Sequence, residues 1–264
     1  MLAWLLYLAL GAFVGLLAGL LGVGGGIVIV PMLTFIFTFQ RLPTEHILHL
    51  AIGTSLASII FTSVSSLRAH HVRGAVEWQA LRRITPGIIL GALVGSWVAA
   101  QLSSRFLKGF FVCFIFYVAL RMLLNIKSEP HRQLVGAGGM FAVGSVIGGI
   151  SSLVGIGGGS LTVPFLVWCN VPLHTAIGTS AAIGFPIAVA GAVGYIANGL
   201  AAPALPSWSL GFVYLPSLVG ISLASILTAP LGARLSHSLP VVRLRNIFAL
   251  FLIVIGLKML ADFI

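Results

Sequence analysis

A chain of 264 residues that is 59% hydrophobic and only 7% charged cannot close into a water-soluble globule, in which about a quarter of residues carry charge. Its net charge of +10 is spread over loops and helix ends, so it reads as membrane topology and not as a nucleic-acid surface. Cys113 and Cys169 sit in separate apolar stretches without partner spacing, which argues against a disulfide framework or a metal site and leaves both as packing residues.

Apolar runs near the ~20 residues that cross about 30 Å of hydrocarbon follow one another with no room for a soluble domain. In chain order they predict long helices at Leu2 to Leu21, Ala51 to Leu67, Ile84 to Leu102, Phe106 to Leu124, Leu134 to Leu153, Ala176 to Ile196, Leu210 to Ala229 and Ile247 to Leu260. The first has no Lys or Arg before it and is followed by further spans, which makes it a membrane helix and not a cleaved signal. Two shorter runs, Ile27 to Phe39 and Ser160 to Cys169, each follow a glycine cluster and predict half-helices that continue or re-enter behind a break. The expected fold is all-α: a polytopic bundle of eight spans.

The chain also repeats itself. Gly22-Val-Gly-Gly-Gly26 with Pro31 recurs 133 residues later as Gly155-Ile-Gly-Gly-Gly159 with Pro164. His49-Leu-Ala-Ile-Gly-Thr-Ser55 recurs 125 residues later as His174-Thr-Ala-Ile-Gly-Thr-Ser180. Pro86 pairs with Pro216, and Arg121-Met-Leu with Lys258-Met-Leu. The reading is two four-helix repeats, residues 1–133 and 134–264, each with a glycine-broken first helix and together one membrane domain. Four spans is an even count, so the halves are expected to run parallel about an axis along the membrane normal. Arg68, Arg73, Arg82 and Arg83, with Lys127 and Arg132 on a loop of the same parity, favour cytoplasm there and hence at both termini. Arg105, Lys108, Arg234, Arg243 and Arg245 fall on the other parity and make that bias shallow.

Clustered glycines allow positive φ and unwind a helix, freeing backbone amides. In lipid such a break is tolerated only where protein covers it or a cavity adjoins it, and the N-terminus of the following half-helix suits an anion. Gly22, Gly24, Gly25 and Gly26, with Gly155, Gly157, Gly158 and Gly159, are therefore candidate substrate contacts; close packing is the competing reading. Packing is preferred for the ladders Gly11, Gly15, Gly19 and Gly87, Gly91, Gly95. Thr54, Ser55, Thr179 and Ser180 offer hydroxyls to an anion or back to their own helix. His49 and His174 offer proton coupling or anion contact against plain capping or interface placement. Glu45, Glu77, Glu129 and Asp262 are all the acids, and each reads as a loop or terminal residue; without an intramembrane carboxylate a cation pump is disfavoured. No constellation of nucleophile and base, clustered acids or metal ligands suggests an enzyme, and no cofactor is implied.

The duplicated glycine motif with its proline, the Ala-Ile-Gly-Thr-Ser motif and the eight-span size together resemble the TauE/SafE family, also called TSUP, over nearly the whole chain. The resemblance implies an inner-membrane multi-pass permease for sulfite, sulfoacetate, thiosulfate or a related small anion. On this sequence the family pattern falls on Gly22, Gly24, Gly25, Gly26, Pro31, Gly53, Thr54 and Ser55, and on Gly155, Gly157, Gly158, Gly159, Pro164, Gly178, Thr179 and Ser180. The expected partners are a small anion and the bilayer, with no nucleic acid, in a monomer or homodimer. A passive anion channel and a membrane scaffold without transport are the alternatives.

Overall fold

The structure is a computed structural model and describes residues 2–21, 25–124, 135–235 and 241–261. Helices α1 (Leu2–Leu21), α2 (Gly26–Phe39), α3 (Ile47–His71), α4 (Trp78–Gln101) and α5 (Ser104–Leu123) form the first half. The second half comprises α6 (Ala137–Val154), α7 (Gly159–Trp168), α8 (Leu173–Gly199), α9 (Leu215–Leu235) and α10 (Val241–Ala261). Between α8 and α9 a two-stranded antiparallel hairpin, β1 (Ser209–Leu210) and β2 (Val213–Tyr214), occupies the stretch expected to begin the seventh long helix. Gly211 at positive φ makes its turn. Among the described residues seven helices, α1, α3, α4, α5, α6, α8 and α9, are long and apolar enough to cross a membrane, so the protein is all-α, multi-pass and membrane-embedded. Helix α2, at 14 residues, extends roughly 21 Å and cannot cross alone.

Helices α3 and α8, which carry the duplicated Gly-Thr-Ser motif, form the centre: 83% and 78% of their spans are buried, against half or less for the other five. Leu93, Val94 and Trp97 on α4 and Leu223 and Leu227 on α9 face outward, as a lipid-facing surface requires. The glycine ladders do pack, and they pack across the halves. Gly11, Gly15 and Gly19 of α1 lie against Ile221, Ser225 and Ala229 of α9. Gly87, Gly91 and Gly95 of α4 lie against Phe141, Ser145 and Gly149 of α6. In each row a Cβ would strike partner backbone, so small residues set the helix separation.

These contacts also give directions. Residue numbers rise together in α1 with α9 and in α4 with α6, so each pair is parallel. The motif helices are antiparallel: Gly178 lies by His70, Gly184 by Ser63 and Gly191 by Leu56. The expectation of parallel halves is thereby overturned; the second half is inverted. The reason is a missed pass. Helix α2 returns alongside α1, with Gly25 against Val14 and Gln40 Nε2 donating to the Tyr7 hydroxyl at 2.8 Å. Each half thus has five alternating segments, and an odd count reverses the next half. The pairing of Pro86 with Pro216 also fails, since Pro86 is interior to α4 while Pro216 is the second residue of α9.

Inversion re-sorts the charges. Arg68, Arg73, Arg82, Arg83, Arg121 and Arg234 gather at one end of the bundle, where α3, α5 and α9 finish and α4 begins. Arg41, Arg105, Lys108 and Lys258 lie toward the other end, and Leu2 and Ala261 are at that second end too. Arg234 therefore joins the cluster from which parity counting had separated it.

Candidate functional site

Both half-helices begin at a glycine in the left-handed region: Gly25 at φ 75° and Gly158 at φ 76°. A Cβ at either would be strained and would meet Val14 or Ile187. The first bonds back to the cap are Val28 and Ile29 to the Gly25 carbonyl, and Leu161 and Thr162 to the Gly158 carbonyl, at 2.8–3.1 Å. The amides ahead of them, on Gly26, Ile27, Gly159 and Ser160, are the helix's orphan donors. Pro31 and Pro164, inside α2 and α7, cannot bond the carbonyls of Ile27 and Ser160, which loosens the same first turns. The two breaks meet: Gly26 sits against the Gly155 carbonyl and Ile156, with no room for a side chain. Gly22 and Gly24 lie outside the described residues.

In the Gly-Thr-Ser motifs, two of the hydroxyls bond to backbone of the opposite half. Gly53 lets the Phe212 carbonyl approach, and Gly178 lets in that of Ala75. Two residues on, the hydroxyl of Thr54 accepts from the Tyr214 amide at 2.9 Å and that of Thr179 from the Glu77 amide at 2.8 Å. Tyr214 and Glu77 immediately precede α9 and α4, so each threonine serves an amide at the entry to a helix of the opposite half. Ser55 donates to the Gly155 carbonyl at 2.8 Å, tying the motif to the break. These side chains are fully buried, and they interlock the halves.

The two histidines part company. His49 is buried, its Nε2 donating to the Ala99 carbonyl at 3.0 Å, its Nδ1 3.2 Å from the Ser104 hydroxyl, and its ring 5.0 Å from Phe212. It clamps the start of α3 to the turn between α4 and α5. His174 is exposed, at the opposite end of the bundle.

A narrow crevice, too tight for a water-sized sphere, lies at the centre between Thr62, Ser63 and Ser66 of α3, Gly157 of the second break, and Ser180 and Gly184 of α8. Thr62 shares a 2.8 Å hydrogen bond with Ser225, and Ser63 bonds back to Ile60. The Ser66 hydroxyl is buried with no hydrogen-bond partner. Beside Gly158, the hydroxyls of Ser151 and Thr162 are likewise buried and unpartnered, within 3.5 Å of where a Gly158 Cβ would stand. Buried hydroxyls are nearly always bonded; two are left open beside the N-terminus of α7, at Ser151 and Thr162, and a third, Ser66, lines the crevice with Gly157 of the same break. Sequence reasoning missed Thr62, Ser63, Ser66, Ser151 and Thr162 because it searched for what repeats. They occupy positions where the other half has Ile187, Ala188, Gly191, Ala18 and Ile29, and that contrast was the available signal. Among the described residues no group of three His, Cys, Asp or Glu is placed to hold a metal ion.

An inward-broken, multi-pass helical bundle of this kind is the architecture of a membrane transporter. Residues 7–259 match the family described as sulfite exporter TauE/SafE, and the chain belongs to that family. It is 39% identical over 260 residues, 97% of either chain, to a probable membrane transporter protein of Haemophilus influenzae. It is 31% identical to the probable membrane transporter protein YunE of Bacillus subtilis, over 75% of this chain and 80% of that one. A probable membrane transporter protein of Methanocaldococcus jannaschii is 27% identical over 97% of this chain and 94% of its own. No solved structure matches it. The protein is a membrane transporter and not an enzyme.

Proposed function

We propose that the protein is a secondary carrier of a small sulfur-containing oxyanion. The anion sits at the N-terminus of α7, held by the amides of Gly159 and Ser160 and the hydroxyls of Ser151 and Thr162, with Ser66 and Ser180 facing it across the crevice. The observation that carries this is the trio of buried, unpartnered hydroxyls at Ser66, Ser151 and Thr162. Hydrogen bonds from neutral donors to a charged acceptor contribute about 1.5–3 kcal/mol each, enough to offset part of the dehydration of a small anion. The inverted halves, residues 1–133 and 134–264, open the crevice alternately to the two sides.

The arginine-rich end faces the cytoplasm by the positive-inside rule, which puts both termini on the outer side of the inner membrane, opposite to the expectation from parity. Arg243 and Arg245 fall in the first turns of α10, at the arginine-rich end, and Lys127 and Arg132 lie outside the described residues. The test is uptake of radiolabelled sulfite, thiosulfate and sulfoacetate into proteoliposomes, comparing the parent with the Ser151→Ala, Thr162→Val double variant. Saturable flux of any of them, lost in a double variant that purifies as a folded protein, supports the site. Flux that never saturates points to the channel, and undiminished flux in the double variant excludes this site.

A further inference from the structure

Resting on the carrier reading, we infer that the site takes a singly charged oxyanion and rejects a doubly charged one: hydrogen sulfite or a simple monosulfonate, and not sulfate, thiosulfate or a sulfonate bearing a second ionised group. The charge inventory around the crevice carries this. Helices α1, α2, α6, α7 and α8 contain no Lys, Arg, Asp or Glu along their whole length, and α3 has only Arg68, exposed near its end. Helix α9, which meets the crevice through Ser225, has only Arg234, exposed near its end, and α4 has Arg82 and Arg83 in its first turns; the groups identified at the site are neutral dipoles, the open hydroxyls of Ser66, Ser151 and Thr162 and the first amides of α7. The side chain on that face of α3 able to titrate is His70, whose Nε2 lies 3.3 Å from the Gly19 carbonyl.

Fixed dipoles attract an ion in proportion to its charge, whereas the hydration lost on burial grows with the square of the charge. Doubling the charge doubles the gain and quadruples the cost. A helix N-terminus is equivalent to about half a positive charge, which offsets a monoanion far better than a dianion. An Arg or Lys against the second charge would offset that cost, and among the described residues none lines the crevice.

The test follows sulfite uptake into proteoliposomes, corrected for protein-free vesicles, across the pH range where hydrogen sulfite gives way to the dianion. Methanesulfonate, singly charged throughout, and sulfate, doubly charged throughout, are measured beside it. Methanesulfonate uptake is expected to stay level with pH. Sulfite uptake is expected to fall about tenfold per pH unit once the dianion dominates, unchanged in shape in His70→Gln, and sulfate neither enters nor competes. Sulfate entering as well as methanesulfonate, sulfite uptake staying level while the dianion takes over, or a profile that flattens in His70→Gln would each overturn the inference and leave the carrier reading standing. A folded protein that moves none of the anions overturns both.

Discussion

The motif helices α3 and α8 agree at six positions of a seven-residue signature, run antiparallel through the centre of the bundle, and differ over the turns that follow. Where α3 presents Thr62, Ser63 and Ser66, α8 presents Ile187, Ala188 and Gly191. The space that Gly191 leaves is filled by Leu56 of α3, while the place corresponding to Leu56 on α8 is Ala181. One side of the pseudo-symmetric centre is a hydroxyl crevice and the other is plugged with aliphatic side chains. The breaks differ the same way: Ser151 and Thr162 flank Gly158, but Ala18 and Ile29 are their counterparts at Gly25. What is duplicated holds the halves together, and what has diverged forms the site we propose.

That division can be broken from the duplicated side first. Gly178→Val drives a side chain into the Ala75 backbone, where neither partner can yield; overpacking of this kind costs about 3 kcal/mol or more, and loss of the monodisperse peak in detergent chromatography is the expected readout. The next largest effect belongs to the diverged side. Removing both hydroxyls in the Ser151→Ala, Thr162→Val double variant is expected to raise the KM for the transported anion about a hundredfold while the melting temperature holds, since neither hydroxyl has a partner in the protein.

Thr179→Val should do the reverse. It strands the Glu77 amide at a cost of about 1–2 kcal/mol, lowering thermal stability with KM nearly unchanged. Ser66→Ala, which removes one donor across the crevice, is expected to raise KM by roughly tenfold. Ala188→Ser, which writes a hydroxyl of α3 into the plugged side, should alter transport least, within about twofold. A large transport effect there would show that both sides of the centre handle the anion.

Much of this fold was legible from hydropathy. The long helices fall where the apolar runs place them, with ends moved by several residues: α4, capped by Glu77, starts at Trp78, six residues before the predicted start, and α5, capped by Ser103, starts at Ser104, two residues early. The half-helices α2 and α7 and both glycine ladders were readable because a glycine cluster or a four-residue spacing has one dominant physical meaning. Direction was not readable, because apolar composition is the same whichever way a helix runs, and one uncounted return pass at α2 reversed the second half. The hairpin at Ser209–Tyr214 was hidden by its apolar residues, Leu210, Phe212 and Val213, which resemble a helix start. For the site, Gly157 and Ser180 were found through repetition, and they line the crevice. Ser66, Ser151 and Thr162 were not, because an isolated hydroxyl in an apolar helix more often bonds its own backbone, and only the packed structure reveals that these do not.

The exchange of helices between the halves bears on how such a chain is made. The glycine face of α1 is covered by α9, and that of α4 by α6, so α1 waits for a helix made about 200 residues later to complete its packing. A nascent first half in the bilayer has its narrowest, most adhesive surfaces bare. Two separately encoded halves should therefore assemble when produced together, while residues 1–133 produced alone should remain unassembled and be cleared by membrane proteolysis.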